Sequence, residues 1–225
     1  MSTFHGAAIA GGRGFTAPLS AGHHPCARMA KLYFRHGTMD SAKTLNLLAV
    51  AHNYRSQGKR VLLLKPRIDD RFGAGAIASR AGLHAEADLL LDRDSVLDPA
   101  QFAGVDCVLV DEAQFLSARL IEQLRVLTQG GPPVICYGLR TDFRTELFEG
   151  SRRLLELADS IEEVKVTCQF CNRKAIFNLR HGGGEAVTEG EQIQLGGAES
   201  YAPACFTCYQ ARTSLFPPLP PRSDA

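Results

Sequence analysis

Three continuous apolar runs constrain the fold of this chain more than any other feature: "RVLLLKP" (60–66), "VDCVLVDE" (105–112) and "PVICYGL" (133–139). A strand with one wet face alternates apolar and polar residues. Runs without alternation belong to strands buried on both faces, as in the parallel sheets of α/β proteins. "KLYF" (31–34) is a shorter candidate of the same kind. Helical patterns lie between the runs. Residues 44–57 carry apolar positions at Leu45, Leu48, Ala49 and Ala51 and stop at Gly58, and "SARLIEQLRVLTQGG" keeps a period near 3.6 and closes on two glycines. Strands alternating with helices predict an α/β domain, with a mainly parallel sheet and helices on both faces.

The chain's 225 residues suffice for one sizeable domain and a smaller one. A net charge of +1 gives no general pull toward nucleic acid or an anionic membrane, so any phosphate binding must be local. No apolar run is long enough to span a bilayer as a helix. Residues 1–28 are rich in Gly, Ala and His, lack a helical or strand period, and have neither the basic start nor the apolar block of a secretory signal. They are expected to form a disordered extension, with Met29 of "MAKLYF" as an alternative start. Residues 213–225, ending "LFPPLPPRSDA", are expected to form an extended Pro-rich tail.

Between the first strand and the first helix runs "GTMDSAKT": Gly37, Thr38, Met39, Asp40, Ser41, Ala42, Lys43 and Thr44. This is the phosphate-loop pattern G-x-x-x-x-G-K-[ST] with alanine in place of the second glycine. In a strand–loop–helix setting, successive backbone N–H groups and the helix N-terminus surround the phosphates of a nucleotide. Lys43 would reach the phosphate oxygens and the Thr44 hydroxyl would ligate Mg²⁺. The second run, "VDCVLVDE", ends in Asp111 and Glu112. Open α/β sheets bind ligands at that end of their strands. Asp111 is placed to hold Mg²⁺, and alternation along the strand would send Glu112 to the opposite side, available as a general base. The fold expected is therefore a P-loop, RecA-like sheet binding ATP with Mg²⁺.

From about Thr167 the texture changes to Cys, Gly and short strand-like runs. Cys168-x-x-Cys171 and Cys205-x-x-Cys208 form two paired-thiolate turns, which together complete a closed tetrahedral shell for a structural Zn²⁺. Such a site supplies ~10–16 kcal/mol of apparent binding energy, enough to hold a unit with little core of its own. Disulfides fit poorly, because Cys26, Cys107 and Cys136 make the total odd.

"KLYFRHGTMDSAKT", "NYRSQGKRVLLLKPRIDDRFGAG", "VLVDEAQF", "CYGLRTDFRTELFEGS" and "EGEQIQLGGAESYAPAC" together resemble the cytosolic-type (type II) thymidine kinase family in order and spacing. The resemblance covers about Ala30 to Arg212. It implies a P-loop kinase domain over 29–165 and a zinc-ribbon-like lasso domain over 166–212. It implies transfer of the ATP γ-phosphate to the 5′-hydroxyl of thymidine, with Glu112 as catalytic base, Asp111 on the magnesium side, and Lys43 and Thr44 on phosphate and metal. Asp69 and Arg71 match an Asp-x-Arg element near the phosphates. Met39, Phe143 and Phe148 match apolar walls around thymine, and Tyr201 belongs to a lasso, about Asn178 to Ser200, that closes over the base. A homotetramer, feedback inhibition by dTTP and a cytoplasmic location are further implications.

The departure is Ala42. If its position needs a positive φ, a Cβ costs roughly 1–2 kcal/mol. If the backbone hugs a phosphate instead, the methyl opposes binding. Three readings follow: an active thymidine kinase, a weakened or inactive relative that still binds nucleoside, and a zinc-ribbon nucleic-acid binder with a vestigial nucleotide domain. The third is disfavoured by the charge balance and by the lack of a basic, aromatic stripe.

Overall fold

The computed structural model describes residues 29–73, 75–182, 185–193 and 201–217. The expected extension at 1–28, parts of the expected lasso and the end of the Pro-rich tail lie outside the described residues. In chain order the first unit comprises β1 (Leu32–His36), α1 (Lys43–Ser56), β2 (Val61–Pro66), β3 (Ala76–Ala78), β4 (His84–Glu86), β5 (Leu89–Leu91), β6 (Cys107–Val110), α2 (Ala118–Leu127), β7 (Val134–Gly138), α3 (Glu149–Leu157) and β8 (Ser160–Glu163). Six strands form one sheet in the order β5-β2-β6-β7-β1-β8, and every pairing within it is parallel.

The apolar runs behave as fully buried strands do, feeding two cores from alternate residues. On one face Leu32, Phe34, Leu64, Val108, Val110, Val134 and Cys136 pack against Leu120, Ile121 and Leu124 of α2 and Leu154 of α3. On the other, Val61, Leu63, Cys107, Leu109, Ile135 and Tyr137 pack against Leu47, Leu48 and Ala51 of α1 and Ile77 of the β3–β4 hairpin. Helices therefore cover both faces. The α2 helix begins where its sequence provides a cap: the Ser117 hydroxyl accepts the Leu120 N–H. The α3 helix and the short polar edge strand β8 went unassigned in the sequence.

One expected boundary shifts with consequence. The run at 105–112 forms a strand only over Cys107–Val110, so Asp111 and Glu112 lie beyond its end, and Glu112 has left-handed backbone (φ 47, ψ 39). The side chain of Glu112 is directed by that turn, not by strand alternation.

The second unit pairs β9 (Phe177–Gly182) with β10 (Glu185–Ala186) and β11 (Tyr201–Ala204) in an antiparallel sheet, followed by α4 (Phe206–Thr213). Its core is small: Leu179, Ala202, Ala204 and Tyr209, with Phe177, Ala186 and Phe216 against them. Residues 213–217, at the start of the expected tail, are packed here: Thr213 belongs to α4 and the Phe216 ring lies 5.6 Å from that of Phe206.

Candidate active site

At the C-terminal ends of β1, β2, β6 and β7 a cleft of ≈ 500 Å³ opens between the sheet, the β3–β4 hairpin and the second unit. Its floor is the loop from β1 to α1. Gly37 opens that loop, and a Cβ there would lie 2.4 Å from Ser41 Oγ and 2.5 Å from the Val164 carbonyl, so only glycine fits. The Ser41 hydroxyl and the Lys43 ammonium both donate to the Thr38 carbonyl, at 2.8 and 2.7 Å, curling the loop on itself. Asp40 and Ala42 both take left-handed backbone, at φ 62 and 60. Ala42 is also the N-cap of α1, with no side-chain cap bond and no acidic residue in the first turn. The helix thus leaves N-terminal N–H groups and the positive end of its dipole for an anion.

Charged groups converge above this loop. Burial lowers the pKa of Lys43, against the opposing pull of the Glu112 and Asp111 carboxylates. The Thr44 hydroxyl donates to Asp111 at 3.1 Å. Burial and the neighbouring Glu112 charge push Asp111 up to about 7, despite its bond from Thr44. Arg71 bridges the ends of β2 and β6: its guanidinium pairs with Asp69 and with Glu112. Burial alone would raise the Asp69 pKa, but the bond and charge of Arg71, with Lys65 at 3.2 Å, hold it below the usual carboxylate range. Glu112 is held on its other side by Gln114, whose side-chain amide donates to it at 2.5 Å and accepts the Leu139 N–H at 3.0 Å. Gly138 makes that arrangement fit, since a Cβ there would come within 2.6 Å of Gln114 Oε1.

The opposite wall is apolar. Phe143 and Phe148 are buried, Phe148 meets Phe115 edge-on at 5.8 Å between centroids, and the Arg180 guanidinium lies 5.0 Å from the Phe143 ring centre. Met39 and Tyr201 complete the wall, Tyr201 on the strand that pairs with β9.

A constellation that could hold a metal ion lies apart from the residues lining the cleft. The sulfurs of Cys168, Cys171, Cys205 and Cys208 all fall within 4.8 Å of one another. A tetrahedral shell with Zn–S near 2.3 Å spaces its sulfurs by about 3.8 Å, so this set fits the ion with little adjustment. Burial alone raises the Cys168 thiol, but N–H groups from Cys205, Phe170 and Cys171 and a bond from the Cys171 thiol bring it down to about 6, suiting it to bind as thiolate.

Comparison with known proteins sets this geometry in a lineage. The family model described as "Thymidine kinase" matches residues 30–209. The chain belongs to the thymidine kinase family. Among curated thymidine kinases, that of Lactococcus lactis is 49% identical over 180 residues, covering 79% of this chain and 95% of that protein. Those of Lactiplantibacillus plantarum and Streptococcus gordonii are 48% and 47% identical, each covering 79% of this chain and 94% of theirs.

In this thymidine kinase chain the structure gathers most of the residues expected from sequence around the one cleft. Met39, Asp40, Ser41, Ala42, Lys43, Thr44, Asp69, Arg71, Asp111, Glu112, Phe143, Phe148 and Tyr201 all line it. Gly37 and Thr38 are buried behind it, shaping the loop. Sequence reasoning missed Gln114, Phe115, Asn178 and Gln192, which also line the cleft. Gln114 carried a signal, a polar residue two places after the acidic pair. Asn178 carried none.

Proposed function

We propose that this member of the thymidine kinase family transfers the γ-phosphoryl group of ATP to the 5′-hydroxyl of thymidine, giving dTMP. The observation that supports the reading is that Glu112, turned by its left-handed backbone, lines the same cleft as the phosphate loop and the aromatic wall. A hydroxyl held against that wall would point its proton at Glu112 and its oxygen at a phosphate seated on the loop.

Phosphoryl transfer needs in-line positioning and neutralisation of the equatorial oxygens more than it needs covalent chemistry. Lys43 and the N-terminus of α1 would cradle the phosphates. Thr44 and Asp111 would hold Mg²⁺, which when bound neutralises charge on the phosphate oxygens. Glu112 would accept the 5′-hydroxyl proton as the new O–P bond forms. Arg71, paired with Glu112 and Asp69, lines the same cleft as the phosphate loop, where its cation would offset developing charge. Met39, Phe143, Phe148 and Tyr201 would sandwich thymine, with the segment of the second unit that carries Tyr201 closing over it. Zinc on the four cysteines would hold that segment in place. Assembly as a homotetramer, feedback by dTTP and a cytoplasmic location belong to the same reading, as does the division into 29–165 and 166–212.

The left-handed backbone at Ala42 favours a second reading, in which the same site binds nucleoside and ATP but turns over slowly. Both are tested by thymidine phosphorylation with Mg·ATP in wild type and Glu112→Gln. Loss of a general base is expected to lower kcat by about 10²–10⁴-fold. A wild type no faster than Glu112→Gln sinks the active reading, and thymidine binding without turnover then supports the second.

A further inference from the structure

We propose that Asn178 is a positioning residue that couples the nucleoside wall to the phosphate loop, so that thymidine and ATP strengthen each other's binding through one buried carboxamide. The proposal rests on the kinase reading above. Asn178 belongs to β9, in the cysteine-bearing unit, and is 4% exposed. Its Oδ1 accepts the Met39 N–H at 2.8 Å, and its Nδ2 donates to the Thr141 carbonyl at 3.3 Å. A backbone N–H can only donate and a carbonyl can only accept, so the orientation of the amide is fixed.

One side chain thereby ties together three segments that the sequence keeps far apart. Met39 lies in the middle of the phosphate loop and also faces the apolar wall. Thr141 leads directly into Phe143 of that wall. Strand β9 pairs with β11, in the register Arg180↔Tyr201, and β11 runs into Cys205. The Met39 N–H is committed to Asn178, so the shape of the loop at that point is set by the second unit, not by a bound phosphate. A nucleoside that draws Tyr201 and β9 onto the base therefore acts on the Met39 backbone, and a nucleotide that orders the loop acts back on β9. Linkage makes the two effects equal.

An ionised or an apolar replacement satisfies at most one of the two partners. Aspartate keeps the acceptor for Met39 but turns a carboxylate oxygen toward the Thr141 carbonyl. Alanine leaves both backbone groups in a buried site without partners.

The test uses full-length wild type, Asn178→Ala and Asn178→Asp. Thymidine binding is measured by calorimetry with and without the β,γ-imido analogue of ATP, alongside the ATP KM and the zinc content. In wild type the analogue is expected to tighten thymidine binding at least about five-fold, the lower end of ordinary coupling. In Asn178→Ala that factor should fall toward one and the ATP KM should rise, with zinc still near one per chain. Asn178→Asp, nearly isosteric, should lose the coupling too at a pH high enough to ionise its carboxylate, and it decides the matter if the alanine variant does not fold. A residue with only a structural role would lower thermal stability and leave both the coupling factor and the ATP KM unchanged. Either variant behaving so, or a wild type without coupling, overturns the proposal. A wild type that binds neither ligand overturns the kinase reading instead.

Discussion

Replacing Ala42 with glycine isolates the energetic effect of a single methyl group in the phosphate loop. Ala42 sits at φ 60 and ψ 29, where the Cβ of an L-residue crowds the following carbonyl at a cost of roughly 1–2 kcal/mol. Glycine removes that strain and is the better N-cap, but its freer unfolded chain takes back about 0.4–1 kcal/mol. The net gain for Ala42→Gly is therefore about 0–1.5 kcal/mol, or up to about 5 °C in Tm for a chain of this size. Valine has the opposite effect, since a β-branched side chain at positive φ is more strained than alanine, and a loss of about 1–3 kcal/mol is expected. Thermal unfolding of the Gly, Ala and Val proteins without nucleotide should thus rank them in that order. Steady-state kinetics separates the two ways the methyl can act. If strain is its whole effect, Ala42→Gly gains stability with an unchanged ATP KM; if the methyl also meets a phosphate oxygen, the KM falls. A glycine variant less stable than wild type, with valine tolerated, would refute the argument, because no left-handed strain would then exist to relieve.

Two further outcomes follow from the same geometry. The cysteine quartet should carry about one zinc per chain by atomic absorption, and Cys205→Ser should lose the metal and lower Tm while the parallel sheet keeps its circular-dichroism signature. Asp111 supplies a pH dependence in metal-free protein. Its pKa is raised to about 7, so its contribution to stability is complete below the unfolded value near 4 and is lost as pH rises through about 7. Asp111→Asn should therefore gain stability relative to wild type as pH rises from about 4 to about 7 in urea titrations. A constant difference across that range would show that Asp111 is not held protonated by its burial.

The parts of the fold legible in the sequence were those in which one physical signal acts locally. Unbroken apolar runs gave the buried strands, because a strand between two helix layers has no wet face to interrupt it. Paired Cys-x-x-Cys turns gave the metal shell because the ligand spacing is local to each turn. Asp111 and Glu112 were legible as a pair at a strand end, but the direction of Glu112 was not, since it depends on a left-handed turn that nothing in "DEAQF" announces. The sequence marked Ala42 as the irregular residue without revealing its backbone conformation. The partners that hold the site were less legible still. Arg71 meets Glu112 across 41 positions and Asn178 meets Met39 across 139, and no periodicity records a contact of that separation. The α3 helix and β8 escaped notice because each is short, and β8 is a polar edge strand with little apolar pattern to read.

The order of the strands also bears on how the molecule is made. Strand β1, from which the phosphate loop hangs, is the first of the sheet to leave the ribosome, yet its neighbours are β7 and β8, with registers Leu32↔Val134 and Tyr33↔Ser160. Until synthesis has passed Gly138, the end of β7, Leu32 and Phe34 have no sheet to enter. During that interval the nascent chain carries an unpaired apolar strand, the kind of segment that chaperones bind and that aggregates when they do not. The nucleotide site is thus among the last parts of the first unit to be completed, although its sequence is among the first to be translated.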